Sequence, residues 1–207
     1  MARILSICLA AFIILTSCNN HKTDKSEQSD SMNIASQISH DDSRVFQIEH
    51  GYIKYESSKG QIREIWFDDF GRLQYEESYR IQKGVKNGSC SYVINGYKYD
   101  MHLGSSEIVR SPYKAEPATE YDKLSDEIKQ QYEITKIGDE SVNGKYCSVI
   151  SFKKPIPSTV WLYKGIPMKS ISSNGVEELT ITAILFTEDE INPQMFVLPQ
   201  GVKIVEY

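Results

Sequence analysis

Apolar and polar residues alternate with a period of two along much of this chain. Leu73, Tyr75, Glu77, Tyr79 and Ile81 fall on one side of an extended strand, and Gln74, Glu76, Ser78 and Arg80 on the other. A second run sets Tyr97, Tyr99, Met101 and Leu103 against Lys98, Asp100 and His102. Strands with one wet face belong to antiparallel sheets. Turn chemistry agrees, because Asn-Gly occurs at 87–88, 95–96, 143–144 and 174–175, and both residues tolerate the positive φ of a type I′ hairpin turn. Lys59-Gly60 and Asp68-Asp69-Phe70-Gly71 add further turns. The pattern predicts a meander of about eight to eleven strands, and the lack of any repeat of about 20 to 50 residues argues against a propeller or solenoid.

Two stretches depart from this alternation. Between Pro117 and Tyr132, the residues Tyr121, Leu124, Ile128 and Tyr132 recur at three- and four-residue steps, with Thr119 as N-cap and acidic residues in the early turns. This spacing predicts an amphipathic helix of about 14 residues packed on the sheet. It separates a first strand group, Val45 to Val109, from a second, Ile134 to Tyr207.

The other departure is the start of the chain. Arg3 precedes an apolar run from Ile4 to Leu15, and the small residues Thr16 and Ser17 stand before Cys18, the layout of a secretory signal. As a helix that run rises about 18 Å, well short of the roughly 30 Å hydrocarbon core of a bilayer. The ending Leu15-Thr16-Ser17-Cys18 resembles the lipobox of bacterial lipoproteins, which implies cleavage before Cys18 and acyl chains on its thiol. An ordinary cleaved signal with a chance cysteine is the alternative. From Asn19 to Arg44 the chain is polar, too poor in apolar residues to offset chain entropy, and is expected to be a flexible tether reaching about 25 to 30 Å. The expected organisation is a signal peptide at 1–17, a lipidated tether at 18–44 and one β domain at 45–207.

Charge and cysteine content narrow the function. Removing residues 1–17 takes away one basic residue, Arg3, and no acidic one, leaving 22 basic against 28 acidic and a net charge of −6. Such a chain lacks the basic footprint of a nucleic-acid binder. Cys90 and Cys147 are the cysteines left in the domain once Cys8 departs and Cys18 is lipidated; in an oxidising compartment they are either a disulfide or two buried thiols.

Candidate catalytic chemistry is sparse. Asp69-Phe70-Gly71 spells a kinase metal motif, but no Gly-rich loop or His-Arg-Asp accompanies it, so it reads as a turn. Asp68 and Asp69 are adjacent and point apart, and Asp is a common turn former. His50 and His102 lie in no nucleophile or zinc motif, with or without Cys147. No catalytic residue, metal or cofactor is assigned. The aromatic residues Tyr75, Tyr79, Tyr97, Tyr99, Trp161 and Tyr163 are candidates to line an apolar cleft, with cross-strand core packing as the other reading.

Three motifs in order resemble one family. They are Ile65-Trp66-Phe67-Asp68-Asp69-Phe70-Gly71, the stretch from Ser91 to Asp100, and a C-terminal half made of Glu140 to Cys147, Val160 to Lys169 and Phe196 to Val202. Together they are similar to envelope proteins with the outer-membrane lipoprotein-carrier (LolA/LolB-like) fold. The resemblance implies an α+β half-barrel: a curved antiparallel sheet whose concave face is apolar, covered by one or two helices, with a helix following the hairpin of Ser91 to Asp100. It also implies an apolar ligand such as an acyl chain, lipid or lipoprotein. The chain departs from the carriers in showing one clear helix where they have several. The expected function is therefore a non-catalytic binding protein held at the outer membrane and facing the periplasm. The alternative is an interaction protein with a filled sheet that docks an envelope partner, and an envelope hydrolase is a third reading.

Overall fold

The computed structural model describes residues 44–115 and 120–206. The signal segment, Cys18, the tether up to residue 43 and the expected N-cap Thr119 lie outside the described residues.

Six strands run in sequence as a meander: β1 (Gly51–Ser57), β2 (Ile62–Asp68), β3 (Leu73–Gln82), β4 (Val85–Ile94), β5 (Tyr97–His102) and β6 (Glu107–Pro112). After a short helix α1 (Asp126–Gln131), a second meander follows: β7 (Thr135–Val142), β8 (Lys145–Phe152), β9 (Ser158–Tyr163), β10 (Ile166–Ser173) and β11 (Glu178–Thr187). The last strand, β12 (Lys203–Glu206), returns to the first group. All twelve form one open, curved sheet in the order β12-β6-β5-β4-β3-β2-β1-β11-β10-β9-β8-β7. The meanders join where β1 pairs with β11, and every pairing is antiparallel except β12 with β6.

The turns follow the expected chemistry with one exception. Asn95-Gly96 and Asn143-Gly144 close hairpins with positive φ at both residues, as a type I′ turn requires. Asn174 shapes a longer turn, its side-chain oxygen accepting from the backbone N–H groups of Val176 and Glu177 at 3.0 and 2.9 Å. Asn87-Gly88, expected as a turn, lies inside β4, and the hairpin closes instead at Lys83-Gly84. Gly88 serves a close approach: a Cβ there would sit 2.0 Å from the carbonyl oxygen of Ser78 on β3.

The expected helix is also shorter. It covers six residues from Asp126, is capped by Ser125, whose hydroxyl accepts from Ile128 N–H, and follows a separate 3₁₀ turn at Tyr121–Lys123. Leu124, at ψ 135°, is extended and breaks the helix that the spacing of Tyr121 and Ile128 suggested. None of its residues is fully buried. The hairpin of residues 91–100 is followed by β6, not by a helix.

Two cores result. The larger joins Phe46, Ile48, Ile53, Ile65 and Phe67 to Val142, Cys147, Val149, Trp161, Ile166, Met168 and Ala183 from the second meander. The smaller gathers Cys90, Tyr92 and Ile108 with Tyr75, Ile94, Tyr99, Met101, Leu198 and Val202. Cys90 and Cys147 are free thiols, buried in separate cores, so of the two readings for this pair the structure holds the buried thiols.

Candidate functional site

Register alone places five aromatic residues in one row. Tyr52 on β1 opposes Trp66 on β2, Trp66 opposes Tyr75 on β3, Tyr75 opposes Tyr92 on β4, and Tyr92 opposes Tyr99 on β5. Adjacent strands lie about 4.8 Å apart, which suits ring-on-ring packing. The ring centroids are accordingly 4.9, 5.3 and 4.6 Å apart for the first three pairs, with modest tilts of 35°, 26° and 33°.

Two positions along the strands, a polar row runs beside the aromatic one. Lys54 opposes Glu64, Glu64 opposes Glu77, and Glu77 opposes Cys90. Glu64 is buried and accepts from the hydroxyls of Tyr52 at 2.5 Å and Tyr79 at 2.7 Å, with the Nζ atoms of Lys54 and Lys86 at 3.5 and 3.7 Å. Glu77 accepts from Tyr75 at 2.6 Å and from Lys86 at 2.5 Å, and the Lys86 ammonium also sits 4.2 Å from the centre of the Tyr79 ring. Two carboxylates and two ammonium groups thus balance within one hydrogen-bonded cluster.

Burial alone would raise the pKa of Glu64, but the two tyrosine hydroxyls and the two lysines outweigh it and hold the carboxyl below its ordinary value. The same burial, together with the carboxylates, raises Tyr52, Tyr75 and Tyr79, so these phenols remain neutral donors. The hydrogen bond to Glu77 raises Lys86 against its desolvation.

The cover of this face comes from the chain's end. Between Thr187, beside β1, and Lys203, beside β6, residues 188–202 must cross the strands that lie between, and they do so as a strap. Asn192 caps a 3₁₀ turn at Pro193–Phe196 by accepting from Gln194 N–H at 3.0 Å; Phe196 is buried, and the turn lies against β3 and β4. Between strap and sheet is a cleft of about 470 Å³, lined by Glu64, Trp66, Tyr75, Glu77, Lys86 and Tyr92 below and by Gln194, Met195 and Val197 above.

Of the residues expected to line a cleft, Tyr75 does so, and Tyr79 stands at its polar end through Glu64. Tyr97 and Tyr99 share the face on β5 but lie outside the lining, Tyr97 with the Arg110 guanidinium 4.7 Å from its ring centre. Trp161 and Tyr163 are on β9, in and against the other core. Trp161 donates to Glu140 at 2.7 Å, and Tyr163 packs edge-on against Phe186 at 6.0 Å. Trp66, Tyr92, Glu64, Glu77, Lys86 and the strap residues escaped the sequence reading. The alternation Glu64, Trp66 within Ile62–Asp68 was the available signal for two of them; nothing local announces the strap.

The two aspartates weighed for catalysis have structural partners. Asp68 accepts from the backbone N–H of Asp69 at 2.7 Å, and Asp69 pairs with Arg72 inside the turn. Among the described residues no cluster of three or more His, Cys, Asp or Glu side chains could hold a metal ion, and no helix is long and apolar enough to cross a membrane.

No protein-family model matches the chain, and no curated protein matches it. Solved structures do. An uncharacterized conserved protein from Thermus thermophilus aligns with a TM-score of 0.55 at 9% identity, over 77% of this chain and 91% of that one. The MucA/MucB complex of Pseudomonas aeruginosa gives 0.47 at 14% identity over 75% of this chain, which spans 57% of the matched chain. LprF from Mycobacterium bovis gives 0.36 at 12% identity, over 79% and 94%. The first likeness shows a shared fold and nothing finer, and the other two are too distant to carry an argument.

Proposed function

We propose that this chain is a non-catalytic lipoprotein of the cell envelope, anchored through acyl chains on Cys18 at the outer membrane and facing the periplasm. Its half-barrel holds the apolar part of an amphiphile, such as an acyl chain, a lipid or a lipoprotein, between the aromatic row and the strap. The observation that carries this reading is the cleft itself. Its volume of about 470 Å³ falls within the range of about 300 to 1,000 Å³ usual for small-ligand sites. Trp66, Tyr92, Met195 and Val197 offer apolar contact, while Gln194 and Lys86 offer hydrogen bonds for a head group. The lipobox-like ending at Cys18 and the resemblance to lipoprotein carriers point the same way.

The alternative of a filled sheet describes the other half of the molecule, where Ile166, Met168 and Cys147 have no exposed surface. Native mass spectrometry of the protein released gently from its own membranes tests the proposal. A bound acylated molecule, at lower occupancy in Trp66→Ala, is the expected result. Ligand-free protein that also fails to take up a fluorescent fatty acid would exclude the reading and favour partner docking. Cys18→Ala is expected to abolish cellular function while leaving the fold intact, and a fully active soluble variant would show that the anchor is dispensable.

A further inference from the structure

The hairpin formed by β3 and β4 outruns its neighbours. β2 pairs with β3 only as far as Tyr79, and β5 pairs with β4 only as far as Ser89. Beyond those residues the two strands continue alone through Arg80↔Asn87, Ile81↔Lys86 and Gln82↔Val85 to the turn at Lys83-Gly84. The projecting part is about 10 to 13 Å long at the usual rise per residue.

A ribbon standing in water would normally be polar at its tip. Here Ile81 is 54% and Val85 66% exposed. Because they occupy successive rows of the ribbon, Ile81 faces the side of Tyr79 and Tyr75 and Val85 the opposite side. No single rigid surface covers both, whereas a fluid layer into which the tip is pushed surrounds them together.

The charge of the hairpin is the reverse of the chain's. Between Glu77 and Asp100 there is no acidic residue, while Arg80, Lys83, Lys86 and Lys98 are basic, in a chain of net charge −5. Most cations of the domain are tied into ion pairs, as Lys59 is to Glu177 and Lys203 to Glu107. Among the described residues Arg80 and Lys83 have no such partner, and the buried Nε of Arg80 meets no acceptor.

We propose that the Arg80–Asn87 hairpin tip docks the domain on an anionic lipid surface, with Ile81 and Val85 inserted among the lipids and Arg80 and Lys83 on their phosphates. Apolar side chains flanked by unpaired cations match a headgroup layer in both chemistry and sign of charge. Ile81 shares its strand face with Glu77 and Tyr75, four and six residues, or about 13 and 20 Å, away. A docked tip therefore sets the cleft beside the bilayer. This docking goes beyond the ligand reading and does not depend on it.

The sheet and both cores lie within residues 44–206, so the chain from Asn19 to Tyr207 keeps them while lacking leader and lipid. That protein is sedimented with vesicles of phosphatidylcholine alone and of phosphatidylcholine with phosphatidylglycerol. Binding to the anionic vesicles only, weakened by added salt, is the expected result. The double variant Ile81→Ser/Val85→Ser should bind about tenfold more weakly, Lys83→Ser about fivefold more weakly, and Lys114→Ser as the wild type does. Unchanged thermal midpoints verify that the variants are folded. Equal binding to both vesicle types, no binding to either, or wild-type binding by the double variant would overturn the proposal. If instead the double variant lost only a self-associated species in analytical ultracentrifugation, the tip would be an interface between copies. Uptake of fatty acid into the cleft is read separately by Trp fluorescence, so either proposal can fail alone.

Discussion

The first meander and the second are built from the same hairpin unit, yet one encloses a cleft and the other a filled core. In β7 to β11 Val142, Cys147, Val149, Trp161, Ile166, Met168 and Ala183 form one buried cluster, and Phe67 from β2 completes it with no exposed surface. In β2 to β5 the face that lines the cleft, opposite on β2 to the one that meets the larger core, carries long side chains with polar tips. Tyr75, Tyr79 and Tyr92 cannot be submerged without partners for their hydroxyls, which costs about 1 to 3 kcal/mol for each group left unpaired. Two of the partners are carboxylates, which bring Lys54 and Lys86 with them. A face so occupied cannot close into a dry core, and a strap crossing it leaves space. β1 and β2 mediate between the halves, because Tyr52, Glu64 and Trp66 face the cleft while Ile53, Ile65 and Phe67 face the larger core.

The largest expected effect lies on the filled side. Phe67→Ala removes a ring that packs 4.5 Å from Phe46, and should cost about 3 to 5 kcal/mol in urea unfolding. A loss below about 1 kcal/mol would mean that this core is as loosely packed as the cleft.

Glu64 is the next most sensitive position. Glu64→Ala leaves the Tyr52 and Tyr79 hydroxyls without their acceptor and should cost about 2 to 3 kcal/mol. Its pKa is held below the ordinary 4.5 in the folded protein, so folding favours the ionised form. The stabilisation is therefore full above the unfolded-state value and fades as pH drops through the folded-state value. Unfolding midpoints of wild type and Glu64→Gln should differ at pH 7 and converge below about pH 4.5. A gap that widens in acid would reverse the assigned sign.

The two tryptophans separate the halves functionally. A brominated fatty acid should quench Trp66 and leave Trp161 unaffected, which single-Trp variants Trp66→Phe and Trp161→Phe resolve. Trp66→Ala should weaken binding by a few-fold to tenfold, the value of an aromatic contact of about 0.5 to 1.5 kcal/mol. Quenching confined to Trp161 would move the ligand to the other half.

The smallest effect concerns the thiols. Burial raises the pKa of both Cys90 and Cys147, so neither should react with a disulfide reagent at neutral pH until the protein unfolds. Faster reaction of Cys90 would report opening of the strap, since its core includes Leu198 and Val202.

Much of the sheet was legible locally. Alternation located β3 and β5, and three of the four Asn-Gly pairs mark turns, because one backbone requirement, positive φ or a turn-stabilising Asn side chain, selects those residues. Gly88 was misleading for a physical reason: glycine also permits two backbones to approach, and the sequence does not say which use it serves. The helix between residues 119 and 132 was overestimated because Tyr121, Leu124, Ile128 and Tyr132 have helical spacing, while Leu124 is extended.

By itself the sequence determined an antiparallel meander, its reversals and an aromatic-rich strand face, since each depends on neighbours within a few residues. Tertiary structure alone decided that β1 pairs with β11, that Tyr52, Trp66, Tyr75, Tyr92 and Tyr99 line up in one row, and that residues 188–202 cross above it. It also decided that Trp161 and Tyr163 lie apart from that row. Which side chains meet depends on register and on the path of a distant strap. Both are settled by the packing of the whole sheet, because a strand displaced by one residue would turn every ring in the row to the opposite face.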